Sequence, residues 1–133
     1  MPKIIKGLAG RKPPEPVAGH SAIDDWFERV IPNVQPIVKA LDTSICATVP
    51  RLHYAIFRNR AYYGRPDLGW IIELAPYYVS VNAVFFGGAD FDRPPPLGDT
   101  DRTRYVKIKS LEEARLPELT DWLEQAARTP GWM

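Results

Sequence analysis

Cysteine is almost missing from this 133-residue chain; Cys46 is the only one. No intramolecular disulfide can form, which fits a reducing compartment. Long apolar runs are missing as well. None approaches the roughly 20 residues that a membrane-spanning helix needs. The basic residues Lys3, Lys6, Arg11 and Lys12 are not followed by the apolar stretch of about 7–15 residues that a secretory signal carries. The expectation is a cytoplasmic protein without a membrane partner. Nor is one sign of charge in excess: 17 basic residues face 16 acidic ones, for a net charge of +1. Nucleic-acid binders usually carry a basic stripe, and the only basic cluster here lies in the first twelve residues, so nucleic acid is not the expected partner. There is no GxSxG elbow, no phosphate-binding loop and no dinucleotide fingerprint. The partner expected instead is an unidentified small molecule or protein, with the chain itself a monomer or homodimer.

What remains is an ordinary globular composition, 45% hydrophobic and 25% charged, at a length that suits one domain with a real core. Residues 1–20 combine proline, glycine and like charges without a hydrophobic period, and read as a disordered basic tail. The domain is expected over 21–133. Ser21 and Asp24 resemble a capping box, and Ile23, Trp26, Phe27 and Val30 follow at helical spacing, with Pro32 as a stop. A second helix is expected from an Asn33 cap, with Val34, Ile37, Val38, Leu41, Ile45 and Val49 as its apolar stripe. Pro36 is tolerated in its first turn, and Pro50 ends it. Strands are expected at 53–58, 61–63, 70–74, 77–86 and 104–109. Leu116, Leu119, Trp122, Leu123, Ala126 and Ala127 mark a C-terminal helix. Strands that come consecutively favour an antiparallel sheet in an α+β domain. The expected fold is therefore four to five antiparallel strands with the N- and C-terminal helices packed on one face.

The segment 77–86 has an uneven alternation. Tyr77, Val79, Val81, Ala83 and Phe85 fall on one face of a strand, while Tyr78, Ser80, Asn82, Val84 and Phe86 fall on the other. The first row is core. The second places a hydroxyl and an amide between aromatic rings. Glu73, the one carboxylate inside a strong strand, points away from Trp70, Ile72 and Leu74 if alternation is strict. Arg58, Glu73, Ser80, Asn82 and Lys107 are then candidates to project from an outer sheet face, with Tyr63, Tyr78, Phe86 and Tyr105 as a rim. Such a face suits a small polar ligand or a partner's loop. A carboxylate in a pocket could also act as an acid or base, but a cross-strand ion pair accounts for Glu73 as well. The expected function is a non-enzymatic binding domain using Arg58, Tyr63, Glu73, Ser80, Asn82 and Lys107.

Metal ligands of the transition-metal type are few. His20 falls in the tail, His53 opens a strand, and Cys46 lies beside an apolar stripe, where a free cysteine usually acts as a small hydrophobe. No cofactor is expected from these. Asp24, Asp25 and Glu28 form an acidic patch on the first helix and are the candidate ligands of a loosely held metal, although acids near a helix start also favour its dipole. Asp90, Asp92, Asp99 and Asp101 in the long loop lie among Arg93, Arg102 and Arg104, so loop ion pairs are expected there.

Several pieces of the strand region carry a resemblance. They are Tyr62-Tyr63-Gly64, Gly69-Trp70, Val81-Asn82 leading to Phe85-Phe86-Gly87-Gly88-Ala89-Asp90, then Leu97-Gly98, and Arg104-Tyr105-Val106-Lys107-Ile108-Lys109-Ser110-Leu111. In this order they resemble the YdhG-like family of small bacterial domains of unknown function, over about 26–127. The resemblance implies an α+β fold similar in shape to frataxin. It also implies an alternative function, since at least one family member is regarded as a frataxin-like iron chaperone. That function would use ferrous iron, weakly bound, at Asp24, Asp25 and Glu28.

Overall fold

A computed structural model describes residues 12–133; the first eleven residues of the expected tail lie outside the described residues. Two helices come first, α1 (Ser21–Phe27) and α2 (Gln35–Thr48). Five strands follow, β1 (His53–Phe57), β2 (Arg60–Arg65), β3 (Gly69–Pro76), β4 (Val81–Phe85) and β5 (Arg104–Ile108). The helix α3 (Pro117–Ala126) comes last. The strands form one antiparallel sheet in chain order. The helices pack on one face of it, so the α+β expectation is met. No described helix is long and apolar enough to cross a membrane.

The main core lies between sheet and helices. Ala61, Tyr63, Ile72, Leu74, Val81, Ala83, Phe85 and Ile108 meet Ile23 and Trp26 of α1, Leu41 and Ile45 of α2, and Leu119, Trp122 and Leu123 of α3. Each helix turns its periodic apolar stripe inward. The helix starts differ from the expected ones. His20, not Ser21, is the N-cap of α1, and Val34, not Asn33, is that of α2; neither side chain caps its helix with a hydrogen bond. The capping-box partner Asp24 faces the His20 ring instead, at 3.2 Å.

Turn chemistry sets the strand ends. Arg58 and Asn59 both have positive φ, 53° and 61°, and form the two-residue link of the β1–β2 hairpin, a primed turn that matches strand twist. Tyr77–Ser80 closes the β3–β4 hairpin, with the Tyr77 amide donating to the Ser80 carbonyl at 2.8 Å. The expected strand at 77–86 therefore begins only at Val81. Tyr78 and Val79 are exposed in that turn and belong to no sheet face.

One irregularity redistributes the side chains of β3. The register with β2 runs Tyr63↔Ile72 and then Gly64↔Trp70, so β3 carries one extra residue. A bulge of this kind breaks strict alternation. Ile71 and Ile72 both join the main core, and Trp70 crosses to the outer face. There it meets Ala55, Tyr62, Phe86 and Trp132 in a second apolar cluster.

The chain's C-terminus completes that cluster. Trp132 and Trp70 exchange both backbone hydrogen bonds at 2.8 Å, and Gly131 donates to the Leu68 carbonyl. The contact is close: a Cβ on Gly131 would lie 2.0 Å from the Trp70 carbonyl oxygen, and one on Gly69 (φ +76°) 2.5 Å from that of Trp132. Trp132 is 2% exposed, so it is core rather than the exposed contact residue its position beside the terminus suggests. The described part of the expected tail also lies on the fold. The Val17 amide donates to the Tyr54 carbonyl at 2.8 Å, and the Trp70 indole N–H donates to the Pro14 carbonyl at 3.0 Å. Pro14 and Val17 thus tie this segment to the sheet, although most of its side chains are exposed.

Burial of Trp132 has a measurable consequence. Trp132→Ala is expected to cost on the order of 3 kcal/mol of unfolding free energy, read from the denaturant midpoint, while Met133→Ala at the exposed terminus stays within about 0.5 kcal/mol. Equal small effects would mean that the terminal segment is not docked.

Candidate functional site

The sheet's outer face is divided by the bulge into two halves. One half is closed by Trp70, Tyr62, Phe86 and Trp132. The other stays open and holds a pocket of about 270 Å³ that includes Arg60, Glu73, Asn82, Tyr77, Thr103 and Tyr105. Register explains why these side chains converge. Tyr62, Glu73, Val84 and Tyr105 form one cross-strand row, and Ala75, Asn82 and Lys107 form the next. Ala75 is the only small residue among them, and it leaves room between Arg60 and Asn82.

Glu73 is the buried charge of the site, 5% exposed. Arg60 Nη1 donates to Glu73 Oε2 at 3.1 Å, with the arginine side chain 42% exposed. A buried carboxylate needs such a partner. The pairing also positions the guanidinium, using one of its five N–H donors. Lys107 Nζ donates to Asn82 Oδ1 at 3.2 Å and lies 5.4 Å from the Tyr77 ring centre. The Thr103 hydroxyl oxygen is buried among the lining residues with no hydrogen-bond partner.

Three of the six expected ligand-binding residues are therefore together on the outer face: Glu73, Asn82 and Lys107. The other three are elsewhere. Tyr63 is fully buried on the helix side of the sheet, because the row order places it opposite Ile72. Ser80 is buried in the β3–β4 turn. Arg58 sits in the β1–β2 turn, over the Phe57 ring at 5.1 Å. The residue that sequence reasoning missed is Arg60. Its place two residues before Tyr62 on the same strand, and so on the same face, was the available signal.

Other hollows are less suited to a ligand. A smaller cavity of about 170 Å³ lies between β5 and the start of α3, and a wide, shallow one of about 540 Å³ lies where Lys12–Glu15 crosses the edge strand β1. Neither brings a buried charged group to its wall. In the long loop, Arg102 pairs with Asp90 at 2.5 Å, as expected of that cluster.

The helix side holds a different set of polar groups. Asp42, a buried residue of α2, accepts a hydrogen bond from Tyr63 Oη at 2.8 Å. His20 Nε2 stands 2.9 and 3.0 Å from its two oxygens, and Cys46 Sγ lies 3.8 Å from Oδ1. Burial and the Asp42 carboxylate push the Cys46 thiol up to about 11. Burial and the neighbouring Cys46 push the Tyr54 phenol up to about 12. Both stay protonated at neutral pH, so Cys46 is no activated nucleophile. His20, Asp42 and Cys46 form the only converging set of three potential metal ligands among the described residues. Asp24, Asp25 and Glu28 are exposed on α1 and do not converge in this way.

Comparison of the chain with protein-family models, with curated proteins and with solved structures finds no match. The functional reading therefore rests on the geometry above.

Two outcomes follow from the charged groups. Arg60→Met leaves the Glu73 carboxylate buried and unpaired and is expected to cost on the order of 1–3 kcal/mol; Arg60→Met with Glu73→Leu restores most of it in a double-mutant cycle. Additive losses would mean that the pair does not interact. For His20, burial opposes the charged form, but Asp42 and Asp24 outweigh it and raise the pKa above the ordinary 6.5. Its stabilisation is thus fully present below pH 6.5 and lost as pH rises through the higher folded value. The stability difference between the wild type and His20→Asn should shrink with rising pH; a difference that grows would reverse the assignment.

Proposed function

We propose that the chain is a cytoplasmic, non-enzymatic binding domain. Its open outer sheet face takes a small molecule carrying a carboxylate and a planar or aromatic part. The observation that carries this reading is the half-exposed Arg60 guanidinium held in place by buried Glu73 at the wall of a pocket lined by Tyr77 and Tyr105. Guanidinium forks match carboxylates in shape as well as charge. Lys107, on Asn82, adds a second positive group at the pocket's edge. Aromatic walls with few placed polar groups are what small-molecule sites are built from. The volume sits just under the usual range of about 300–1,000 Å³ for such sites, which favours a metabolite over a large cofactor. Glu73 serves as the anchor of Arg60 in this reading, not as an acid or base.

We also propose that the domain is YdhG-like, on the strand-region pieces that carry that resemblance. The alternative function, iron handling, would rest on Asp24, Asp25 and Glu28 alone, whose carboxylates do not converge.

The test is titration of isotope-labelled protein with aromatic amino acids and their deaminated and decarboxylated counterparts. Amide shifts are expected around Glu73, Asn82 and Tyr105 with the carboxylate-bearing compounds. They should be absent with the decarboxylated ones and weakened at least tenfold by the Arg60→Met, Glu73→Leu pair. Shifts elsewhere, or equal shifts with the decarboxylated series, would reject the outer face as a carboxylate site.

A further inference from the structure

The cluster behind the sheet supports a second site, independent of the outer-face pocket. His20 has carboxylate oxygens at both ring nitrogens: Asp42 at Nε2 (2.9 Å) and Asp24 at Nδ1 (3.2 Å). A neutral imidazole carries one N–H. With two acceptors facing two nitrogens, one contact sets lone pair against lone pair unless a second proton or a metal ion stands there. Cys46, exposed at the surface and one helical turn beyond Asp42, brings its sulfur to the same point.

We propose that His20, Asp42 and Cys46 bind a divalent transition-metal ion of the zinc type, with the fourth position open to solvent. The ligands would be His20 Nε2, one Asp42 oxygen and the Cys46 thiolate. All three ligand atoms lie within 4.8 Å of one another. A tetrahedral zinc with bonds of about 2.0–2.3 Å separates its ligand atoms by about 3.3–3.5 Å. The observed 2.9 Å and 3.8 Å to Asp42 lie either side of that spacing, and His20 and Cys46 stand no more than 4.8 Å apart, so side-chain rotation that draws the sulfur towards the imidazole closes the site. The donor set decides the metal class. Thiolate and imidazole suit zinc or cobalt, whereas magnesium and calcium take oxygen.

The surrounding groups are those that metal ligands need. With the ion bound, Asp24 beside Nδ1 would take the one N–H of His20 and leave Nε2 to coordinate, while Tyr63 Oη holds Asp42. Second-sphere partners of this kind fix the ligand's tautomer and orientation. Binding breaks the Cys46 S–H bond and, where His20 is charged, its Nε2–H bond, and releases these protons to solvent as the sulfur–metal and nitrogen–metal bonds form. Because His20 opens α1 and Asp42 lies on α2, the ion would fasten the segment leading into α1 onto the second helix.

Cobalt(II) titration of the full chain tests this directly. Cys46 is the only cysteine, so a sulfur-to-cobalt charge-transfer band can arise from it alone. The expected result is such a band saturating at one cobalt per chain and displaced by zinc. It should be lost in Cys46→Ser and weakened at least tenfold in affinity in His20→Asn. Zinc should raise the melting temperature of the wild type and not of Cys46→Ser, whose exposed substitution leaves the metal-free fold unchanged by circular dichroism. No thiolate band, a band saturating at one cobalt per two chains, or a band whose affinity is unchanged in His20→Asn would each overturn the proposal.

Discussion

The register shift between Tyr63 and Gly64 is the constraint on which the rest of this structure depends. Without the extra residue in β3, Trp70 would point at the helices with Ile72 and Leu74, and the outer face would lack its apolar half. With it, two adjacent isoleucines enter the main core and the tryptophan leaves it. Trp70 then needs cover, because so large an apolar surface is costly in water. The cover comes from both ends of the described chain: Trp132 pairs with its backbone, and the Pro14 carbonyl accepts its indole N–H. One added residue thus recruits two distant segments and leaves only part of the outer face open.

That partition explains why a charged pair can exist on the sheet at all. Glu73 lies beside the apolar cluster, in the same cross-strand row as Tyr62, and is shielded by it. Arg60 lies at the open side and stays half in water. A carboxylate with little solvent and a guanidinium with much of it form an anchored cation, a different object from a surface salt bridge, which holds neither partner firmly. The inner face has its own buried carboxylate in Asp42, satisfied by Tyr63 and His20. The two polar centres are on opposite sides of one sheet and share no residue.

The α+β architecture was legible because the apolar stripes of all three helices and the alternation of β1 and β5 follow standard periods. The limits of β4 were not, since Tyr77 and Val79 continue its alternation on paper while Pro76 and the Tyr77–Ser80 hydrogen bond place them in a turn. Strict alternation also misplaced Trp70, because nothing local in Gly69-Trp70-Ile71-Ile72 announces a bulge. Glu73, Asn82 and Lys107 share the outer face for a simple reason: they lie on regular stretches of neighbouring strands, where parity gives the face. Arg58 and Ser80 do not join that face because they sit in turns. Tyr63 failed because a tyrosine flanked by Tyr62 and Gly64 could face either way until its partner Ile72 is known. Asp42 was invisible as a site residue, since its donors come from 22 residues before it and 21 after it.

The divided outer face can be tested by amide hydrogen exchange and proton–proton contacts in solution. The account requires slow exchange at the Trp70 and Trp132 amides and close contacts from the Trp132 ring to Tyr62 and Phe86. It also requires a solvent-accessible Asn82 side chain. Fast exchange at both tryptophan amides, with no contact between the Trp132 ring and the sheet, would contradict it.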